Sequence, residues 1–152
     1  MPFRKDVEIF LKSNHLGVLS YISPEGEAQG AFIYFFVNKE AIFFITRRNS
    51  RKFESLHKNH SVALTVSLPE EWTTMQIQGN AERLITETEV QEVMEAMQTN
   101  PKIESFYLDA NTDGPFQIID GTAFEAYRVT VTWLRWLKKN TKGKPKYEQI
   151  IE

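Results

Sequence analysis

The spacing of apolar and polar residues changes several times along this chain, and each change predicts a change of secondary structure. Residues 61–68 alternate apolar and polar side chains at period two, which is typical of a half-buried strand. The same criterion, together with β-branched and aromatic residues, predicts strands over residues 16–22, 27–37, 41–46, 61–68, 72–84, 116–119 and 122–137. Gly79 inside one of these strands indicates a β-bulge. Short polar turns join most of them, so we expect antiparallel pairing.

Helical spacing of apolar residues occurs in shorter stretches between the strands. It predicts a first helix over residues 3–11, a second after Ser50, and a third beginning at Thr86, where Thr86 and Glu89 form a capping-box pattern. A further short helix is expected over residues 103–108. Strands at hairpin spacing with helices at the margins predict a mainly β, α+β fold: a small antiparallel β-barrel with flanking helices.

Composition narrows the class of protein without identifying it. The chain has 152 residues, which predicts a single domain over residues 1–152. A net charge of -2 gives no reason to expect nucleic acid or membrane as a partner, and the absence of cysteine excludes disulfides and thiolate chemistry. The longest apolar run, residues 31–37, is too short to span a bilayer, and no signal-peptide pattern precedes it, so we expect a cytoplasmic protein. Residues 138–152 are expected to form a mobile, Lys-rich tail.

The densest group of polar side chains lies between the third predicted strand and the second predicted helix. Residues 46–52, Thr-Arg-Arg-Asn-Ser-Arg-Lys, hold four cations and three side chains that donate hydrogen bonds. Ser50 is placed to cap the following helix, whose first N–H groups would then point at the same place. These groups together suit a phosphate or another small dianion. A solvated basic turn is the alternative interpretation.

The order of elements, with Thr-x-x-x-Ser-Arg-Lys and the later Gln-Ile-Gln-Gly-Asn-Ala, resembles the pyridoxamine 5′-phosphate oxidase-like family of flavin-binding split β-barrels. The resemblance extends over residues 5–137 and is most specific at residues 46–56 and 72–81. It implies a split-barrel homodimer that binds FMN at its interface. Relatives use the same groove for deazaflavin F420 or for haem, which are the alternative cofactors.

The resemblance also implies which residues form the cofactor site, although it assigns no catalytic residue. The phosphate would be held by the residues that match the Thr-x-x-x-Ser-Arg-Lys motif, and the flavin ring would lie along the backbone of the second strand and meet a polar side chain on the fifth. The complete implied set is Phe32, Ile33, Ile45, Thr46, Ser50, Arg51, Lys52 and Thr74. Both faces of the second strand are apolar over residues 32–37, which fits a strand covered on both sides in a homodimer.

The chain departs from the true oxidases where those enzymes hold pyridoxamine phosphate. Their strand arginine and lysine correspond here to Gly30 and Phe35, and neither their Arg-Pro helix nor their Arg-x-His pair has a counterpart in residues 86–99 or 132–137. We therefore expect an FMN-dependent oxidoreductase or flavin reductase that acts on an unidentified small substrate and does not oxidise pyridoxamine phosphate. A non-catalytic flavin-binding or stress-related module is the alternative.

Three other patterns in the sequence suggest binding sites but also have simpler explanations. Residues 109–114 have the Asp-x-Asn-x-Asp-Gly spacing of a calcium loop, but a polar turn is favoured because a strand, not a helix, is predicted after them. The three histidines have no metal-binding spacing, so no metal site is expected. Trp133 and Trp136 point to opposite faces of the last predicted strand, so both are core residues or one of them contacts the flavin.

Overall fold

The structure, a computed structural model, describes residues 2–100, 123–139 and 142–151. Within these residues, a 3-10 turn, Pro69–Glu71, precedes the fifth strand. The helices and strands are α1 (Lys5–Ser13), β1 (Leu16–Ile22), β2 (Ala28–Asn38), β3 (Ala41–Arg47), α2 (Arg51–Lys58), β4 (Ser61–Leu68), β5 (Thr73–Arg83), α3 (Glu87–Thr99), β6 (Phe124–Lys139) and β7 (Pro145–Ile151).

Six of the strands close into an antiparallel barrel. The sheet order is β3-β2-β1-β4-β5-β6-β7, and an additional pairing of β3 with β6 completes the ring. The long strand β6 pairs with β5 along one edge, while its other edge pairs first with β3 and then with β7. The predicted mainly β fold, an antiparallel barrel with flanking helices, is confirmed.

The predicted bulge at Gly79 is also present. The pairing of β5 with β6 shifts register between Gln78 and Gly79. A Cβ atom at Gly79 would lie 2.4 Å from the carbonyl oxygen of Thr130, so the close approach of the two backbones requires glycine.

The core fills the barrel interior and the space beneath the helices. Among the side chains that lose essentially all solvent contact are Phe35, Phe44 and Phe124. Trp136 also points inward, where its Nε1 donates a hydrogen bond to Thr73 Oγ1 at 2.7 Å and its ring packs against Phe10. Trp136 is therefore a core residue, whereas Trp133 lies on the opposite, outer side of the same strand.

Two local predictions need correction. Thr86 does occupy the N-cap position of α3, but its side chain makes no capping hydrogen bond. The predicted capping box is absent because Glu89 is turned toward Arg128, with 3.5 Å between its Oε1 and Arg128 Nη1. The expected mobile tail also differs from the structure, in which β6 continues to Lys139 and residues 145–151 form β7. The lysines that suggested mobility precede a short Tyr-Glu-Gln-Ile-Ile segment whose Ile150 and Ile151 pack against the core.

The predicted helix over residues 103–108, the calcium-like loop and the predicted strand over residues 116–119 lie outside the described residues. Within the described part of the chain, no helix has the length and hydrophobicity that crossing a lipid bilayer requires.

Candidate phosphate and cofactor site

The connection between β3 and α2 folds so that two hydroxyl groups meet. Thr46 is only 3% exposed, and its Oγ1 lies 3.1 Å from Ser50 Oγ. Asn49 adopts a left-handed conformation (φ 64°), which reverses the chain and returns Ser50 toward the end of β3. Ser50 Oγ accepts the N–H of Phe53 at 3.1 Å, so the predicted N-cap is confirmed. The N–H groups of Arg51 and Lys52, which precede Phe53 in the first turn of α2, have no intrahelical acceptor and can point at an anion.

Lys52 lies in the first turn of α2 and is partly buried. Burial lowers the pKa of its ammonium group from the ordinary value of 10.5. Among the described residues, no carboxylate forms an ion pair with Lys52. Removing a charge from water without a counter-ion is unfavourable, so this position favours the approach of an anionic ligand.

Arg51 lies at the edge of the same site and contacts a different part of the protein. Its Nη2 donates to Glu25 Oε2 at 2.9 Å, and both side chains are exposed. The pKa of Glu25 is lowered mainly by hydrogen bonds from its own backbone and from Ser23, with a smaller contribution from Arg51. An exposed ion pair of this kind is weak, so Arg51 can exchange its partner at little cost.

The two other cations of the connection, Arg47 and Arg48, contact residues at the start of β6. Arg48 Nε donates to Glu125 Oε1 at 2.8 Å, and Arg83 Nε donates to the other oxygen of the same carboxylate at 2.9 Å. Glu125 is only 5% exposed, so it depends on these two partners. The guanidinium of Arg47 lies over the ring of Phe124, with its carbon 5.3 Å from the ring centroid.

Sequence reasoning missed Glu125 because the pairing of β3 with β6 places it opposite Thr46, far away in the chain. One signal was available: Glu125 is the single charged residue within the otherwise apolar Ala-Phe-Glu-Ala-Tyr segment at the start of β6. A charge in a buried strand needs a cationic partner, but the sequence alone does not identify which cation it is.

The remaining residues implied by the resemblance divide into two groups. Ile45 is buried next to Thr46, and β2 carries Ile33 on its buried face and Phe32 on its outer face, where Phe32 is 65% exposed. Thr74 stands apart, hydrogen-bonded through its Oγ1 to Ser67 Oγ at 2.8 Å.

The separation of Thr74 from the phosphate-binding residues follows from strand pairing. Thr46 lies opposite Glu125 on β6, whereas Thr74 lies opposite Leu137, twelve residues further along the same strand. Twelve residues of extended strand span roughly 40 Å. One chain therefore brings together Thr46, Ser50 and Lys52, and it does not bring Thr74 to them.

The outer surface of β1 and β2 is apolar. Val18 lies opposite Phe32, and Leu16, which is 42% exposed, lies opposite Tyr34. Neighbouring exposed apolar side chains of this kind mark an interaction surface more often than a free one. In the described residues, no group of three or more His, Asp or Glu side chains is arranged to hold a metal ion.

The family model for pyridoxamine 5′-phosphate oxidase matches residues 3–132. The chain belongs to this family. The match includes β1 to β5 and most of the barrel-closing part of β6, together with the Thr46 to Lys52 connection. The resemblance inferred from those motifs is therefore confirmed.

Solved structures with the same fold include proteins whose names refer to different cofactors. An FMN-binding protein related to pyridoxamine 5′-phosphate oxidase from Nostoc punctiforme has a TM-score of 0.69 at 13% identity, over 100% of this chain and 98% of that one. A haem-binding protein from Mycobacterium smegmatis has a TM-score of 0.70 at 16% identity, over 95% of this chain and 57% of that one. An F420 reductase has a TM-score of 0.61 at 20% identity, over 84% of this chain and 94% of that one. At these identities the likeness shows the fold alone. No curated protein matches the sequence.

Proposed function

We propose that this protein binds FMN at the interface of a homodimer and acts as an oxidoreductase or flavin reductase on a small substrate. The observation that carries the proposal is Lys52: a partly buried cation with no carboxylate partner in the described residues, in the first turn of a helix capped by Ser50. A phosphate monoester supplies the missing negative charge and accepts several hydrogen bonds at once.

The residues present fit the cofactor. Lys52 and the first N–H groups of α2 would hold the phosphate, the hydroxyls of Thr46 and Ser50 would add hydrogen bonds, and Arg51 would exchange Glu25 for the phosphate. The ring would then extend toward β2 near Phe32 and Ile33. Bound flavin supplies hydride or electron transfer, while the protein supplies position and electrostatics.

The homodimer is supported by two features of the single chain. Thr74 is remote from the phosphate-binding residues of its own chain, and the outer face of β1 and β2 exposes Leu16 and Phe32. A two-fold dimer that buries this face is self-complementary, so each chain would offer its β5 to the cofactor held by the other. We expect light scattering at micromolar concentration to give twice the chain mass. A monomer would contradict the shared site.

FMN is preferred over haem because of the position of the histidines near the site, and one measurement distinguishes FMN, F420 and haem. Haem requires an axial ligand, and His57 and His60 lie beyond the first turn of α2, at its other end. F420 would use the same cation cluster. The absorbance spectrum of the purified protein distinguishes an oxidised flavin, a deazaflavin and a haem directly.

The test of the phosphate site compares three flavins. Titration of the cofactor-free protein should show that FMN binds at least tenfold more tightly than riboflavin, the scale of one charge-assisted contact. FAD, which lacks the terminal phosphate monoester, should also bind more weakly. Lys52→Ala should abolish the preference for FMN, while Lys58→Ala, at the other end of α2, should leave it unchanged. Equal affinity for riboflavin and FMN would reject the phosphate site.

Turnover is a separate question. Reduction of the bound FMN by a nicotinamide cofactor would support a reductase, and bound FMN that neither NADH nor NADPH reduces would support the non-catalytic module. We expect no useful oxidation of pyridoxamine phosphate, because Gly30 and Phe35 stand where the true oxidases use charged residues. Efficient formation of the aldehyde from that substrate would contradict this expectation.

A further inference from the structure

Arg135 is the arginine whose surroundings the proposed cofactor site does not explain. It lies on the outer face of β6, with its guanidinium carbon 4.2 Å from the ring centroid of Tyr147 on β7 and 5.6 Å from that of Trp133. Its Nε is buried and has no hydrogen-bond partner in the part of the chain that the structure describes.

The other arginines show how unusual this arrangement is. Each of five described arginines makes an ion pair with at least one carboxylate: Arg4, Arg48, Arg51, Arg83 and Arg128. No carboxylate of the described residues pairs with Arg135. Its cross-strand neighbours are the amides Gln76 on β5 and Gln149 on β7. The guanidinium is thus held by aromatic rings and lacks an anion.

We propose that Arg135 binds the carboxylate of a small planar anion, such as an aromatic carboxylate, and that this anion is the substrate class of the proposed flavin site. Folded proteins rarely leave a buried guanidinium N–H without an acceptor, so the unsatisfied Nε indicates an acceptor supplied from outside the described chain. A carboxylate matches the planar donor fork of arginine, and Tyr147 restrains that fork by stacking. Trp133 offers a ring face to the body of a planar ligand.

The position of Arg135 links the anion to the flavin. Gln76 lies directly opposite Arg135, and the next outward residue on β5 is Thr74, opposite Leu137. Diagonal neighbours across an antiparallel pair are about 7–8 Å apart, close to the length of one aromatic ring with its carboxylate. Thr74 is the residue of this surface that the family resemblance assigns to the flavin. A ligand anchored at Arg135 would therefore lie beside the ring, and in this respect the inference rests on the proposed function.

The experiment uses the full chain, with and without FMN, and three probes: benzoate, benzamide and inorganic phosphate. Calorimetry measures probe binding without reference to the cofactor, and the flavin difference spectrum reports whether the probe lies beside the ring. We expect benzoate to bind at least about tenfold more tightly than benzamide or phosphate, and to shift the flavin spectrum.

Three variants locate the anion. Arg135→Gln should weaken benzoate binding about tenfold or more, and Arg135→Lys should restore part of it because the charge returns without the planar fork. Lys139→Gln, two outward positions along the same strand, is the matched control and should change nothing. FMN affinity should be the same in all three, and thermal melts identify any variant that fails to fold. If Arg135→Gln does not fold, Arg135→Lys alone decides, because the lost fork must still weaken benzoate relative to wild type.

The outcomes separate the two proposals. The carboxylate site is overturned if benzamide or phosphate binds as tightly as benzoate. It is also overturned if benzoate binds the folded Arg135 variants as tightly as it binds the wild type. Binding of benzoate that leaves the flavin spectrum unchanged overturns its role as a substrate site. If the protein binds no FMN but benzoate still depends on Arg135 in calorimetry, the anion site stands and the flavin proposal fails.

Discussion

Arg48 and Lys52 lie four residues apart in the chain, and the fold gives them different surroundings. Arg48 is bonded to the buried carboxylate of Glu125, whereas Lys52 is partly buried and has no carboxylate partner in the described residues. Both are cations in the same basic segment. The comparison shows that the number of cations in a segment does not measure its capacity to bind an anion, because internal carboxylates neutralise some of them.

The largest effect that we expect tests the ligand-binding half of this comparison. Lys52→Met should weaken FMN binding about tenfold to a hundredfold, since one charge-assisted contact contributes about 1.5–3 kcal/mol. Fluorescence titration with FMN measures the loss, and Lys58→Met provides the control on the exposed end of the same helix. If the affinity for FMN did not change, the phosphate would have to bind elsewhere.

The second effect tests the structural half. Arg48→Ala should lower the free energy of unfolding by about 2 kcal/mol, because the buried Glu125 would keep only Arg83 as a partner. Urea denaturation of the cofactor-free protein measures this loss. FMN affinity should fall less than threefold, as expected for a long-range and salt-screened attraction. A tenfold loss of FMN affinity with unchanged stability would reverse the two roles.

A double variant sharpens the second test. Replacing Glu125 by Gln in the Arg48→Ala background removes the uncompensated charge, so the two substitutions should be less destabilising together than their separate effects predict. Additive effects would show that Arg48 does not stabilise the fold through Glu125.

The third effect concerns pH. The unfolded chain holds the Lys52 proton with the ordinary pKa of 10.5, and burial lowers this pKa in the folded state. At pH values between these two pKa values, Lys52 is largely deprotonated in the folded state and protonated in the unfolded state, so unfolding takes up a proton. The free energy of unfolding of the cofactor-free protein should therefore rise with pH in this range. Lys52→Met should remove this dependence and raise the free energy of unfolding at neutral pH by an amount on the order of 1 kcal/mol. Denaturation curves from neutral to alkaline pH, with Lys58→Met alongside, measure both changes; an unaltered pH profile would contradict the assignment.

The smallest effect concerns Arg51 and Glu25. Their exposed ion pair must open before Arg51 can contact a phosphate. Glu25→Gln should therefore tighten FMN binding about twofold to threefold at low salt, and the gain should disappear at high salt. Glu27→Gln, two residues further along the chain, is the matched control. Weaker FMN binding in Glu25→Gln would mean that Glu25 supports the site.

Local pattern was enough for much of this fold. The period-two stretches at β1 and β4 were predicted to the residue, and Ser50 was correctly predicted as a cap, because each depends on neighbouring residues only. Glu125 could not be assigned to Arg48, since that contact depends on how β6 pairs with β3. For the same reason the sequence could not show that Thr74 lies far from Thr46 within one chain. β7 was missed because the lysines before it outweighed its short apolar end.

The shared strand β6 also sets the order in which the chain can be completed as it is synthesised. β3 and β5 each need β6 as a neighbour, yet both precede it by many residues. Until residues 124–139 leave the ribosome, the first five strands can form only an open sheet with two unpaired edges. Those unpaired edges can pair with strands of other chains. They stay exposed for longer because contacts between residues far apart in the sequence form slowly. Chains that end before Phe124 should therefore aggregate. The nascent protein avoids aggregation only if β6 is synthesised and paired quickly.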